Sequence, residues 1–168
     1  MLQLATGEWI VQHLNLIVTG ATGVGKTYLS CALGRAACKA GFSVRYERLS
    51  HLLHRVHAAH ADASWSQLLK ALGRVDLLVI DDWLRDPIKA AQARDLVEVL
   101  EDRYNRRSTL VATQVPFQDW HARLQNPDLA DAILDRLTYN AYRLELQGES
   151  QRKTRSPLPI PGTSSTLT

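Results

Sequence analysis

Two rhythms of apolar residues alternate along the chain. Compact, mostly apolar runs stand at residues 14–19, 75–80 and 109–113, and longer stretches between them repeat apolar residues every three or four positions. Runs of the first kind suit strands buried on both faces of a sheet. Residues 43–48 alternate and predict another strand, and 142–146 a fifth. The longer stretches predict helices over 26–39, stopped by Gly41, and over 90–106, with Leu96, Val99, Leu100 and Arg103 near one face. Ser50 is placed to cap a helix carrying Leu52, Leu53 and Val56. Ser64 and Gln67 are spaced as a capping box for a helix through Leu72, and 130–137 reads as the last helix. Strands alternating with helices predict an α/β fold, a three-layer sandwich on a five-stranded, mostly parallel sheet.

Between the first strand and the first helix stands Gly20-Ala21-Thr22-Gly23-Val24-Gly25-Lys26-Thr27. It satisfies G-x-x-x-x-G-K-[ST], the loop that wraps phosphates in its backbone N–H groups. The helix that follows aims its N-terminal N–H groups and dipole at the same anion. Lys26 is thereby predicted to reach the β- and γ-phosphates of ATP, and Thr27 to offer its hydroxyl to Mg²⁺. Asp81 ends the third strand, at the sheet edge where ligands sit, and is expected to hold Mg²⁺. Asp82 is then the candidate to polarise the attacking water. Thr113 and Gln114 follow the fourth strand; if that strand lies between the first and third, both point toward the γ-phosphate.

Charge narrows the choice of partner. The formal net charge of +3 comes from Arg152, Lys153 and Arg155, beyond which no acid follows, and everything before them balances. The chain is therefore not a uniformly basic binder, and contact with nucleic acid would need a local groove or an assembled ring. Cys31 and Cys38, seven residues apart on one helix, are too far apart to bridge, and are expected to be reduced packing thiols. No basic segment leads into an apolar run at the start, and no run approaches about 20 apolar residues, so the expected setting is cytoplasmic, without a membrane.

Together the phosphate loop, Asp81-Asp82-Trp83, Thr113-Gln114-Val115-Pro116 with Trp120-His121, Asp135-Arg136-Leu137 and the stretch from Gly148 to Lys153 resemble the IstB family. These are AAA+ ATP-binding helpers of insertion-sequence transposition, related to the DnaC helicase loaders. The resemblance implies a slow, DNA-stimulated ATPase, with DNA, an IstA-like transposase and further copies of the same chain as partners. It implies that Arg136 acts as an arginine finger on a neighbour's γ-phosphate, and that Arg152 reads nucleotide state within its own subunit. The expected division is a lead-in (1–12), an ATP-binding core (13–153) and a tail (154–168) whose Pro, Ser, Thr and Gly predict disorder. The family usually carries an N-terminal domain ahead of the core, and a glycine where Leu84 stands here. A DnaC-like loader and a small-molecule P-loop kinase are the alternatives on the same loop.

His51, His54, His57 and His60 recur every third residue and sweep half a helix circumference, so they do not converge on one metal. Trp65, Trp83 and Trp120 are too scattered for base stacking and suit packing. Arg103, Arg106 and Arg107 end a helix, where cations are favourable, and could also border a neighbouring subunit.

Overall fold

The computed structural model describes residues 2–151. Strands β1 (Asn15–Gly20), β2 (Val44–Arg48), β3 (Leu77–Asp81), β4 (Ser108–Thr113) and β5 (Ala141–Leu146) form one sheet in the order β2-β3-β4-β1-β5. Every pairing is parallel, with Leu16 opposite Leu110 and Tyr142, and Val79 opposite Tyr46 and Leu110. The helices are α1 (Leu2–Ala5), α2 (Glu8–Val11), α3 (Lys26–Lys39), α4 (Leu49–Ala61), α5 (Trp65–Arg74), α6 (Ala90–Arg103), α7 (Trp120–Leu124) and α8 (Pro127–Thr138). None is long and apolar enough to cross a membrane.

Strand alternation splits the core into two layers. Leu16, Val18, Leu77, Val79, Leu110 and Ala112 face one side, against Leu33 and Ala37 of α3 and Trp9 and Ile10 of α2. Ile17, Leu78, Ile80 and Val111 face the other side, which α4 to α8 cover. This parity decides which strand-end residues can meet the phosphate loop, because that loop opens α3. Asp81 continues the series 77, 79, 81 on the α3 side, whereas Thr113 continues 109, 111, 113 on the opposite side.

Five expectations change. Ser50 lies inside α4, whose N-cap is Arg48, and does not cap it. The helix expected over 90–106 stops at Arg103, whose side chain turns inward and is 1% exposed. Its guanidinium donates to the carbonyls of Leu72 (2.6 Å), Val75 (2.9 Å), Asp76 and Ser108 and to the Thr109 hydroxyl (3.1 Å). It ties the ends of α5 and α6 to the starts of β3 and β4, and is not part of a surface cluster. Burial pulls its pKa down to about 9, so it still carries its proton at neutral pH. Ser64 stands at the N-cap of α5 without a side-chain cap, since its hydroxyl bonds Asp62 instead. Cys31 and Cys38 are exposed, not packed. Residues of the lead-in form α1 and α2, and Trp9, 3% exposed, seats them on the sheet. The tail over 154–168 lies outside the described residues.

Candidate functional site

The turn from β1 into α3 is shaped by its glycines. Gly23 has φ 83° and a Cβ there would run into Ser150, while Gly25 has φ 107° and open space where a Cβ would stand. The left-handed backbone turns the loop around a cradle that no side chain fills. Lys26 folds back over the loop, its Nζ donating to the carbonyls of Gly20 and Ala21, both at 2.7 Å. Thr22 at the rim donates to the amide oxygen of Gln114. Gln151 closes the far wall by donating its N–H to the Gly23 carbonyl at 2.9 Å.

At the foot of the loop, the Thr27 hydroxyl donates to Asp81 Oδ2 at 2.7 Å. Asp81 is 2% exposed, and its Oδ1 accepts the N–H of Asp82 at 2.8 Å. Tyr46 of β2 donates its phenol to the same Oδ2 at 2.6 Å. Burial, then the hydrogen bond and charge of Asp81, pushes this phenol up to about 12. Arg48 lies beside it and is raised above its ordinary value, chiefly by Tyr46 and then by Asp82 and Asp81. Asp82 has φ 53° and pairs loosely with Arg85 at 3.5 Å. The cavity enclosed measures about 330 Å³ and brings together Gly25, Lys26, Thr27, Asp81, Asp82 and Gln114. A hydroxyl and a carboxylate side by side are hard oxygen donors of the kind Mg²⁺ takes, and a glycine cradle with a lysine suits polyphosphate, so the residues fit ATP with Mg²⁺.

The family model for IstB-like ATP binding proteins matches residues 1–158. The chain belongs to the IstB-like ATP-binding proteins. An insertion sequence ATP-binding protein of Sinorhizobium fredii is 46% identical over 154 residues, 92% of this chain and 63% of that protein. A second from the same organism is 47% identical over 157 residues, 94% and 63% of the two chains. A third, from Pseudomonas fluorescens, is 45% identical over 113 residues, covering 67% and 49%. The chain thus spans 63% of the length of the first two relatives. Among solved structures, DnaI superposes with a TM-score of 0.74 at 20% identity, over 84% of this chain and 81% of that one. The DnaC helicase loader gives 0.68 at 21%, over 86% and 87%. The fold is therefore the P-loop α/β fold of these proteins.

The remaining sequence candidates of this IstB-like chain are placed less uniformly. Thr113 corrects its expectation: fully buried on the face away from α3, its hydroxyl donates to the Trp83 carbonyl (2.7 Å) and accepts from the Val115 N–H (3.0 Å). It fixes the turn after β3, and only Gln114 of the pair lines the cavity. Arg136 stands on α8 and reaches Glu101 of α6 and the Ala132 carbonyl, away from its own chain's cavity. Asp131, five residues before it, meets His121 at 3.0 Å. Arg152 lies outside the described residues. His51, His54, His57 and His60 are exposed on α4, and among the described residues no three ligating side chains gather for a metal. Trp83 and Trp120 pack together in the core, with ring centroids 5.8 Å apart. Tyr46, Arg48 and Gln151 are the site residues that sequence reading missed. For the first two, the alternation over 43–48 was the available signal, since it puts Val44, Tyr46 and Arg48 on one face.

Proposed function

We propose that this chain binds ATP with Mg²⁺ in the 330 Å³ cavity and hydrolyses it, as the core of an AAA+ helper that assembles on DNA and assists a transposase. The observation that carries the chemistry is the 2.7 Å contact between Thr27 and Asp81 under a glycine cradle. The relatives' association with insertion sequences supports the transposition setting. We place the lead-in and residues 13–153 together as the ATP-binding core.

In this reading the backbone N–H groups of Gly23 to Thr27 and the Lys26 ammonium hold the β- and γ-phosphates. Thr27 Oγ1 and Asp81 Oδ2 would hold Mg²⁺, which would neutralise charge developing on the phosphates. Asp82 accepts the proton of the attacking water as its oxygen bonds the terminal phosphorus and the bond to the ADP oxygen breaks. Gln114, held by Thr22 at the rim, orients that water. Arg136 supplies positive charge to the site of a neighbouring copy, and Arg152, following directly on Gln151, senses the nucleotide.

Nucleotide titration of the purified chain and its Lys26→Ala variant tests the site. The variant is expected to lose nucleotide binding while keeping its fold. Affinity within about twofold of the parent, a few tenths of a kcal/mol, would overturn the assignment. Asp82→Asn is expected to retain binding and lose turnover, measured as phosphate release with and without duplex DNA.

A further inference from the structure

The edge of the sheet opposite the phosphate loop carries a separate cavity ringed by cationic side chains. It measures about 490 Å³ and lies among Lys70 and Arg74 of α5, Arg106 and Arg107 after α6, and His13 before β1. Asp102 is the one acid in its lining among the described residues. Because β1 is six residues long, this cavity sits about 20 Å from the loop, across the whole depth of the sheet. It is a separate site, not an extension of the nucleotide cavity.

From these groups we infer that the cavity binds the phosphodiester backbone of DNA. Four permanent cations surround one concavity in a chain whose first 150 residues balance in charge only with these four included. A helix C-terminus favours a cation, which accounts for Arg74 at the end of α5 but not for four around one hollow. Arg107 has a carboxylate partner, Asp76 at 3.4 Å; Lys70, Arg74 and Arg106 have no ion pair among the described residues, and these three are exposed. Gly73 in the floor leaves room between them, its missing Cβ facing the Asp102 carboxylate at 3.6 Å. His13 Nδ1 is buried in the wall without a partner among the described residues.

The chemistry of the lining selects the occupant. It holds no indole, phenol or aliphatic side chain among the described residues, so a protein partner would find no large apolar side chain to pack against. It holds guanidinium forks and an ammonium, which match phosphate oxygens. An acidic protein segment would satisfy the charge but would find only the stems of Lys and Arg as apolar surface. The inference rests on the reading of this chain as one that assembles on DNA, and adds where the backbone is held.

The test is duplex affinity by fluorescence anisotropy across a salt series, for the full chain with ATP and Mg²⁺ and for a Lys70→Gln/Arg74→Gln/Arg106→Gln variant. Arg107 stays, because Asp76 uses it. The slope of log affinity on log salt is expected to flatten by about 0.9 for each phosphate that is no longer neutralised, so by about 2–3 for the triple variant. Nucleotide affinity should not change. Asp102→Asn removes the opposing charge and should tighten duplex binding a few fold at low salt, a gain that misfolding cannot imitate. Parental slope in the triple variant overturns the cavity assignment and leaves the DNA reading standing. A parent that binds no duplex at low salt overturns both. Loss of poly-glutamate binding with duplex binding intact makes the cavity a protein interface and overturns the assignment.

Discussion

The Tyr46 phenol and the Asp81 carboxylate meet at 2.6 Å, on the oxygen that also receives the Thr27 hydroxyl. Tyr46 pairs in register with Val79, two residues before Asp81 on the same face, and the length of a tyrosine covers that offset. With Oδ1 held by the Asp82 N–H, both carboxylate oxygens are fixed before any ligand arrives. Tyr46→Phe should keep the fold and raise the Mg²⁺ concentration needed for half-maximal nucleotide binding about tenfold, as loss of an outer partner does in metal sites. A fluorescent nucleotide titrated with Mg²⁺, and then in chelator, separates the metal effect from nucleotide affinity itself. An unchanged magnesium midpoint would reduce Tyr46 to packing.

Arg103 is the largest single polar commitment in the core. Arg103→Met keeps the aliphatic stem but takes the guanidinium donor from the carbonyls of Leu72, Val75 and Ser108, while the Asp76 carbonyl keeps the Ser108 N–H at 3.0 Å. Unsatisfied buried acceptors cost about 1–3 kcal/mol each, partly relieved by relaxation, so a loss of about 3–5 kcal/mol is expected. Arg103→Lys should recover little, since an ammonium cannot reproduce the planar fork. Urea unfolding midpoints at constant m-value are the measurement.

Leu84 occupies a left-handed position, φ 52°, with its side chain fully buried. Two effects oppose each other there. Removing the side chain costs about 2–5 kcal/mol, while a glycine relieves roughly 1 kcal/mol of backbone strain. Burial wins, so Leu84→Ala and Leu84→Gly should both destabilise. The strain shows in their order: the glycine variant should be as stable as the alanine variant or more so. At a helical position glycine is worse by about 1 kcal/mol. Thermal melts of the pair decide it.

Arg136 is held by Glu101 within its own chain, and must leave that carboxylate to reach a neighbour's phosphate. Arg136→Ala should therefore bind nucleotide normally and lose hydrolysis in the assembly. Mixing it with Lys26→Ala should restore part of the activity, because some interfaces then join an intact arginine to an intact loop. Phosphate release from the mixture on duplex DNA at low salt reads this out. A mixture as inactive as either variant, with co-assembly intact, would leave Arg136 a residue that joins α8 to α6.

The chain's own pattern carried the strands because burial on both faces makes them continuous apolar runs, as at Leu77 to Ile80. It carried the phosphate loop because the glycines and Lys26 are local and ordered. The four-residue helices α1 and α2 left no trace, being too short to show a helical period. Arg103 misled because a cation at a helix end has a sufficient local explanation in the dipole, while its burial depends on β3 and β4 arriving from elsewhere. Thr113 and Gln114 looked equivalent as neighbours, yet strand alternation turns one into the core and the other to the rim. Tyr46 reaches Asp81 across a strand pairing, a relation that adjacency in sequence does not express.

Trp83 directly follows the acid assigned to the attacking water, its backbone N–H bonded to the Ala112 carbonyl at 2.9 Å and its ring packed against Trp120. The chain thereby contains an optical reporter covalently next to its chemistry. If nucleotide shifts the backbone at Asp82, the adjoining indole is the group placed to report it through its emission, without any attached dye. Replacing Trp9 and Trp65 with phenylalanine would leave the coupled pair as the sole source of signal. Stopped-flow fluorescence could then time the closing of the acidic turn separately from phosphate release.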